Sequence, residues 1–262
     1  MTTRPRYTIE ARAGDCADHG QYGDALVEQF GAAPAWYGCP RCHFDRRHAA
    51  DITVRSAGAL DHSQRLLNER LLDAQIPLRF QLESLDTWHA YSDVAKAQTW
   101  SMASGYVETF AENFEAGRGV MLLGTVGTGK THLACGILQA VIRNFAAQGA
   151  TGLYISAGDV IRSIKETFGG QGKTEAQVYS GLMEPTLLVI DEIGAQHGTD
   201  FERQVLFEVI NGRYERVLPT IVVSNLGVVD LRQCMGDRAV DRLRDRGGIV
   251  GLLRGESKRG GE

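Results

Sequence analysis

Short runs of apolar residues alternate with stretches of helical pattern through the second half of the chain. Each run has the length of a strand, and the segments between them are long enough for helices. Continuous apolar runs are typical of strands that are buried on both faces of a parallel sheet. The pattern therefore predicts an α/β fold with a parallel five-stranded sheet flanked by helices. The predicted strands are Val120–Leu123, Leu153–Ser156, Leu187–Ile190, Ile221–Ser224 and Ile249–Leu253.

The first 117 residues have a different pattern. Residues 1–55 are rich in glycine, cysteine, histidine and aromatic residues and show no sustained helical period, which predicts a small domain without a large apolar core. Leucines at helical spacing predict a linker helix that begins near Asp61 and ends before Pro77. A second helix is predicted from Asp93 to Gly117, a residue type that often ends helices. These patterns predict three parts, with boundaries at 1–55, 56–92 and 93–262.

Composition changes this picture little. At 43% hydrophobic and 23% charged residues, the 262-residue chain is typical of a soluble globular protein with about two domains. No apolar run approaches the roughly 18–20 residues that cross a bilayer, and the first residues lack a secretory signal, so we expect a cytoplasmic protein with no membrane partner. The net charge of −4 argues against bulk binding of duplex DNA.

A phosphate-binding motif follows the first predicted strand of the sheet. The segment Gly124–Thr131, GTVGTGKT, fits G-x-x-x-x-G-K-[ST] and precedes a predicted helix. Glycines let the backbone N–H groups approach phosphates, Lys130 neutralises the β and γ oxygens, and the Thr131 hydroxyl is placed to bind Mg²⁺. The motif predicts a site for ATP or ADP with Mg²⁺.

Acidic and amide groups follow two later strands. Asp191 and Glu192 end an apolar strand, as in a Walker B segment, so we expect Asp191 to hold the Mg²⁺ shell and Glu192 to polarise the attacking water. Asn225 follows the next strand and is a candidate sensor of the γ-phosphate, although asparagine also favours turns. A surface carboxylate is the alternative for Glu192. The predicted nucleotide-binding residues are Gly124, Gly127, Thr128, Gly129, Lys130, Thr131, His132 and Asp191.

Two arginines lie four residues apart near the C-terminal end of the sequence. Arg238 and Arg242 would share one face of a helix, from which one of them could reach the γ-phosphate of a neighbouring subunit. The alternative is that both form surface ion pairs with Asp237 and Asp241, and the spacing alone favours these ion pairs.

Four of the six cysteine and histidine residues near the N-terminus have metal-ligand spacing. Cys16-x-x-His19 and Cys39-x-x-Cys42 form a four-ligand set of the kind that binds structural Zn²⁺ in tetrahedral geometry. A segment with few aliphatic residues needs such a metal to fold. His43 and His48 are alternative ligands. Cys135 and Cys234 fall in helical segments and are expected to be buried apolar residues.

The segment from about Ile76 to Leu253 resembles the bacterial DnaC family of replicative helicase loaders, which is related to transposition helper ATPases. Besides the P-loop, the resemblance rests on Ile76-Pro77, Arg79-Phe80, Ser156–Ile161, Ile164–Phe168, Leu187–Gly194 and Gly236–Leu243.

This resemblance implies an AAA+ ATPase that assembles into an open spiral. It makes Arg242 the arginine finger, acting on a neighbouring subunit, and Arg238 a second arginine on the phosphate side or at the interface. About 20 residues follow Arg242, so a helical lid is not expected. The resemblance also places single-stranded DNA contacts at Lys165, Phe168, Thr199 and Phe201. From the residues alone, Phe168 could instead pack against the sheet under the stem of Lys165.

The expected function is ATP-dependent loading of the hexameric replicative DNA helicase onto single-stranded DNA during replication initiation. Zinc ribbons also bind nucleic acid, but residues 1–60 carry 7 basic and 7 acidic residues, which favours docking on the helicase. The main alternative is a transposition helper ATPase that binds DNA and recruits a transposase. A P-loop kinase and a DNA clamp that binds nucleotide without hydrolysis are further alternatives.

Overall fold

The chain divides into two compact units, Met1–Arg65 and Leu66–Glu262. The computed structural model describes residues 8–29, 32–36, 38–88, 94–170, 172–195 and 198–253. In the first unit, an antiparallel three-stranded sheet in the order β1-β2-β3 precedes a long helix that continues into the second unit. These elements are β1 (Thr8–Cys16), β2 (Gly20–Gln29), β3 (Ala32–Trp36) and α1 (Pro40–Asp73).

The second unit is a parallel five-stranded sheet in the order β5-β6-β7-β4-β8, with helices on both faces. The strands are β4 (Val120–Gly124), β5 (Gly152–Ser156), β6 (Leu187–Ile193), β7 (Thr220–Ser224) and β8 (Ile249–Leu253). The helices are α2 (Val94–Glu108), α3 (Phe110–Glu115), α4 (Lys130–Asn144), α5 (Ala157–Thr167), α6 (Glu175–Met183), α7 (Asp200–Glu215), α8 (Val228–Met235) and α9 (Asp237–Arg244).

Alternate residues of the central strands enter two separate cores. In β4, Val120 and Leu122 pack on one face, with α4 and the residues before α2, whereas Met121 and Leu123 pack on the other, with α5, α7 and α9. All four side chains are fully buried. Because both faces are covered, the strands are apolar throughout instead of alternating, as the sequence predicted. The predicted α/β sheet of five parallel strands is confirmed.

The linker helix begins much earlier than predicted. It starts at Pro40 instead of near Asp61, and it ends at Asp73. Proline is favoured in the first turn of a helix, where its missing N–H has no partner to lose. The sequence pattern did not predict a helix over residues 40–60, because apolar periodicity indicates a helix only where one face carries an apolar stripe.

The predicted helix from Asp93 to Gly117 is two helices. Asp93 lies outside the described residues, and α2 and α3 are separated at Thr109. The buried side chain of Asn113 donates to the carbonyl oxygen of Tyr106 at 2.8 Å and to the Thr109 hydroxyl at 3.1 Å. A side chain that satisfies the backbone in this way stabilises a break that residue periodicity does not reveal. Gly117 ends α3 in the left-handed region, with φ +62°.

A buried arginine stabilises the end of the sheet at which β6 and β7 begin. Arg213, fully buried in α7, donates to the carbonyl oxygens of Leu182, Pro185 and Pro219 and to the Thr220 hydroxyl, all at 2.8–3.0 Å. Burial lowers the pKa of this guanidinium to about 9. The strands β6, β7 and β4 then run in parallel to the opposite end of the sheet, where their carboxyl ends lie side by side.

Among the described helices, none is long and apolar enough to span a membrane.

Candidate ATP-binding site and metal centre

The P-loop between β4 and α4 closes around the ammonium group of Lys130. This group donates to the carbonyl oxygens of Gly124 at 2.8 Å and Thr125 at 2.7 Å, and the lysine is only 5% exposed. The buried Thr128 donates its hydroxyl to the Thr125 carbonyl at 2.9 Å. Gly129, with φ +96°, turns the loop into the first residue of α4. The loop therefore has the geometry of a phosphate-binding turn at a helix N-terminus.

Three hydroxyl and carboxyl groups meet at the carboxyl end of β6. The hydroxyl groups of Thr131 and Tyr154 both donate to Asp191 Oδ2, at 2.8 and 2.7 Å. The second oxygen of this buried carboxylate accepts the backbone N–H of Glu192 at 2.6 Å. Burial, followed by the charge of Asp191, raises the pKa of Tyr154, so the phenol stays protonated and remains a donor. The arrangement holds Asp191 next to Thr131, as a shared Mg²⁺ site requires.

The backbone changes direction directly after Asp191. The pairing of β6 with β7 shifts between Ile190 and Ile193, and Glu192 adopts φ +59°, a left-handed conformation that is costly for a residue with a side chain. The Ser224 hydroxyl donates to the Ile193 carbonyl at 2.5 Å and so ties the ends of the two strands together. As a result, Glu192 and Asn225 line the same cavity.

The segment before α2 covers one side of the P-loop. His132 in α4 lies with Nε2 2.9 Å from the Ser84 carbonyl oxygen and Nδ1 3.4 Å from a Glu83 carboxylate oxygen. The Trp88 ring packs edge to face on His132, with centroids 5.3 Å apart. A Cβ atom at Gly129 would lie 2.3 Å from this indole. Position 129 therefore needs glycine both for its positive φ and for the approach of Trp88.

These groups surround one cavity of about 490 Å³ at the carboxyl ends of the strands. Clefts of this size at that edge of a parallel sheet are typical ligand sites. Its lining includes Arg79, Phe80, Glu83, Thr87, Trp88, Lys96, Val126, Gly127, Thr128, Gly129, Lys130, Thr131, His132, Asp191, Glu192, Ser224 and Asn225.

The two candidate arginines lie elsewhere. Arg238 and Arg242 are exposed on α9. Neither arginine is among the described residues that line the cavity. The carboxylates of Asp237 and Asp241 bind Arg232, at 3.0 and 2.9 Å, and not the two candidate arginines. The ion pairs that form with Asp237 and Asp241 are therefore not the ones that the spacing favoured.

The residues predicted to contact DNA form an exposed aromatic group and a helix cap. Phe168 is 67% exposed, and its ring centroid lies 5.8 Å from that of Phe201. The Lys165 ammonium lies 5.7 Å from the Phe201 ring centroid. Phe168 is thus not a core residue. Thr199 instead caps α7, because its hydroxyl accepts the N–H of Glu202 at 3.3 Å.

A second site lies in the N-terminal unit. The ligand atoms of Cys16, His19, Cys39 and Cys42 all lie within 4.8 Å of one another. The Cys16 and Cys42 sulfurs are 3.5 Å apart, and His19 Nδ1 is 3.3–3.7 Å from the three sulfurs. Tetrahedral Zn²⁺ with bonds of about 2.0–2.3 Å places its ligands roughly 3.5–3.8 Å apart. The four residues therefore fit a zinc ion. The side chains of His43 and His48 lie outside the described residues.

Outer groups orient these ligands. His19 Nε2 lies 3.2 Å from an Asp45 carboxylate oxygen, which leaves Nδ1 to face the sulfurs, a common arrangement around zinc-binding histidines. The buried Asp24 accepts the backbone N–H of Gly38 at 2.8 Å and so fixes the turn that leads into Cys39.

The thiols differ in their surroundings. A bond from the backbone of Asp18, followed by contacts with His19 and Cys42, lowers the pKa of Cys16 to about 7. Burial raises the pKa of Cys135, a fully buried residue of α4, to about 12. Cys234 in α8 is only partly buried, although burial also raises its pKa. Within the cluster, the contact with Cys16 raises the pKa of Cys42 to about 12, so Cys16 is the thiol of this pair that ionises first.

We expect the purified chain to contain one zinc ion. Cys39→Ser should lose the zinc and the folded N-terminal unit but retain ATP binding, because structural zinc supplies folding free energy to small domains. Metal analysis and nucleotide binding measure the two effects. Cys234→Ser, a cysteine outside the cluster, is the matched control and should keep its zinc. Zinc-free wild-type protein prepared without chelator would contradict the assignment.

Sequence reasoning missed three aromatic residues beside the candidate groups. Tyr154 binds Asp191, Trp88 packs on the P-loop, and Tyr214 lies against Arg242, whose guanidinium carbon is 4.4 Å from the ring centroid. The only available signal was a hydroxyl-bearing tip within an apolar strand at Tyr154. Nothing in the local pattern distinguishes the other two from core aromatic residues.

The sheet, the P-loop after β4 and the acidic pair near the carboxyl end of β6 define an ATP-binding P-loop protein of the AAA+ type. Residues 53–259 match the family described as IstB-like ATP binding protein, and the chain belongs to this family.

Similar proteins act in replication. The replicative helicase loader DnaC of Escherichia coli K12 is 32% identical over 144 residues, which are 55% of this chain and 56% of that protein, so the chain matches about half the length of this relative. A crystal structure of the DnaC helicase loader has a TM-score of 0.59 at 23% identity over 68% of this chain and 99% of that chain. A crystal structure of DnaI has a TM-score of 0.55 at 20% identity, over 71% of this chain and 95% of that chain. Both solved structures share the fold of this chain over the matched residues.

Proposed function

We propose that this protein is an ATP-dependent loader that binds the replicative DNA helicase and places it on single-stranded DNA. The observation that carries the proposal is the 32% identity with the E. coli replicative helicase loader DnaC. The P-loop cavity supports it, because a loader of this type needs an ATP site. The helicase, the DNA and the spiral assembly are all part of the proposal.

The chemistry proposed for the cavity is hydrolysis of Mg-ATP. Lys130, now bonded to loop carbonyls, would exchange them for the β and γ oxygens, and Thr131 with Asp191 would hold Mg²⁺. Glu192 would polarise water, and Asn225 beside it would contact the γ-phosphate. Measuring phosphate release with and without single-stranded DNA separates this proposal from a clamp that binds nucleotide without turnover.

The arginine finger is proposed to come from a neighbouring subunit. Arg242 is exposed on α9, outside the described lining of its own chain's cavity, which suits a group that acts on another copy. Arg238, one turn earlier, would support the same interface. Assembly into a spiral would bring the α9 surface of one subunit to the open cavity of the next.

Single-stranded DNA is proposed to bind at Lys165, Phe168 and Phe201. An ammonium group beside two exposed or partly exposed rings can hold a phosphate while a base stacks, an interaction worth roughly 1–3 kcal/mol per base. Thr199 is the least supported of the proposed contacts because its hydroxyl already caps α7.

We expect Phe168→Ala to weaken single-strand affinity about tenfold, the effect of one lost stacking contact. Its 67% exposed ring contributes little core, so thermal stability should not change. Titration of ATP-bound protein into a labelled oligonucleotide measures the affinity. Phe44→Ala is the matched control, since Phe44 in the N-terminal unit is also 67% exposed. Equal loss in both variants, or none in Phe168→Ala, would place the DNA path elsewhere.

The zinc-binding unit is proposed to dock on the helicase. Its first 60 residues are balanced in charge, which favours a protein partner over nucleic acid. Affinity purification of the full chain from its native cell tests the function. Recovery of a hexameric helicase, lost in Cys39→Ser, is the expected result, whereas recovery of a transposase would favour a transposition helper.

A further inference from the structure

Tyr214 joins two arginines and an aspartate at the C-terminal end of α9. The guanidinium carbon of Arg242 lies 4.4 Å from its ring centroid, and that of Arg246 lies 5.5 Å away. The Tyr214 hydroxyl donates to Asp245 Oδ2 at 2.6 Å. The first distance is well within the roughly 6 Å at which a cation is attracted to an aromatic face.

The backbone around this cluster is held in a specific conformation. Residues Asp245–Gly247 form a short turn after α9, in which Arg246 has φ +54°. Arg118 donates to the Arg246 carbonyl oxygen at 3.2 Å. The bond from Tyr214 and the neighbouring backbone lower the pKa of Asp245, so this carboxylate is an ionised acceptor at neutral pH. The ring therefore sits between α7 and a turn of fixed geometry.

The contact of Arg242 with the ring contrasts with the ion pairs of the same helix. Asp237 and Asp241 both bind Arg232. Arg242 is exposed and packs on an aromatic face, which attracts a cation without neutralising its charge. A guanidinium held in this way keeps its planar donors for an incoming phosphate.

We propose that Tyr214 is a positioning residue that pre-orients Arg242 for the active site of the neighbouring subunit. The inference rests on the proposed role of Arg242 as a finger in trans. An arginine carries considerable rotamer entropy, and holding its stem and guanidinium against a ring removes part of this cost before the subunits meet. Tyr214 acts through Arg242 and is not among the described residues that line the cavity of its own chain.

A mixture of two inactive proteins separates this role from a structural one. Lys130→Ala protein cannot bind ATP but can supply Arg242, whereas Arg242→Ala protein holds ATP and lacks the finger. The mixture should hydrolyse ATP. Adding Tyr214→Leu to the Lys130→Ala protein should lower the kcat of the mixture about three- to thirtyfold with little change in KM for ATP. Adding Tyr214→Leu to the Arg242→Ala protein should not lower it.

Two further variants control for folding. Tyr214→Phe in the Lys130→Ala protein keeps the ring and should retain most of the turnover, although the bond to Asp245 is lost. Arg246→Gln there removes the other arginine of the ring and should also retain turnover.

Four outcomes would overturn the inference. Equal loss from either protein of the mixture would indicate a structural effect, as would an equal loss in Arg246→Gln, and no loss from Tyr214→Leu would show that the ring does not orient the finger. A parent mixture without activity, while wild-type protein turns over ATP, would overturn both the trans finger and the role of Tyr214.

Discussion

Replacing Arg242 with alanine is expected to lower ATP turnover by about 10³–10⁵-fold while ATP binding stays normal. An arginine that reaches the γ-phosphate from another subunit stabilises charge that develops in the transition state, and its loss is worth this much in related phosphoryl-transfer enzymes. Binding should persist because Lys130, Thr131 and Asp191 of the same chain surround the phosphate end of the cavity. Phosphate release and nucleotide titration measure the two effects.

Arg244→Ala is the matched control for this experiment. Arg244 is exposed in the last turn of the same helix and has the same charge, so it reports any general effect of removing an arginine from α9. It should retain turnover. A small effect of Arg242→Ala, or an equal effect of both substitutions, would exclude Arg242 as the finger, and Arg238→Ala would then be tested.

Glu192→Gln is expected to bind ATP but to hydrolyse it about 10²–10⁴-fold more slowly. A carboxylate that polarises water contributes to catalysis in roughly this range, and the amide is isosteric but a poor base. Single-turnover hydrolysis measured beside ATP affinity makes the distinction. Turnover equal to that of the wild type would mean that Glu192 is only a surface carboxylate at the end of a strand.

The backbone at Glu192 allows a second comparison. Its φ of +59° costs a residue with a side chain about 1–2 kcal/mol, whereas glycine adopts this conformation readily. Glu192→Gly should therefore be as inactive as Glu192→Gln but more stable to unfolding by about 0.5–1 kcal/mol, after allowing for the greater freedom of glycine in the unfolded chain. Thermal or urea unfolding of the two variants tests this. A less stable glycine variant would show that the conformation carries no strain.

The sheet and the phosphate-binding loop could be predicted because their signals are local. A strand buried on both faces is apolar at every position, and Leu187–Ile190 is an example whose full extent is Leu187–Ile193. The phosphate-binding turn needs small residues and one lysine at fixed spacing, and Gly124–Thr131 has them. The Cys–His and Cys–Cys pairs likewise have the spacing of metal ligands, and Cys16, His19, Cys39 and Cys42 do converge.

Helix limits were predicted less well for a related reason. Apolar periodicity reports the face that a helix buries and not its length, so the first part of α1, from Pro40, was missed. The break between α2 and α3 depends on Asn113, whose amide reaches the carbonyl of Tyr106. The presence of an asparagine in a helical pattern does not predict that contact.

The sequence by itself determined the sheet, the P-loop and the grouping of metal ligands, whereas only the tertiary structure decided which side chains surround the reactive groups. Tyr154 meets Asp191 across 37 residues of sequence, and His132 meets Ser84 across 48. Spacing on α9 suggested that Arg238 and Arg242 would pair with Asp237 and Asp241. In the fold, both aspartates pair with Arg232, and Arg242 packs on Tyr214. The reason is that periodicity and spacing encode contacts within one element, while a partner on another element depends on how the two elements pack.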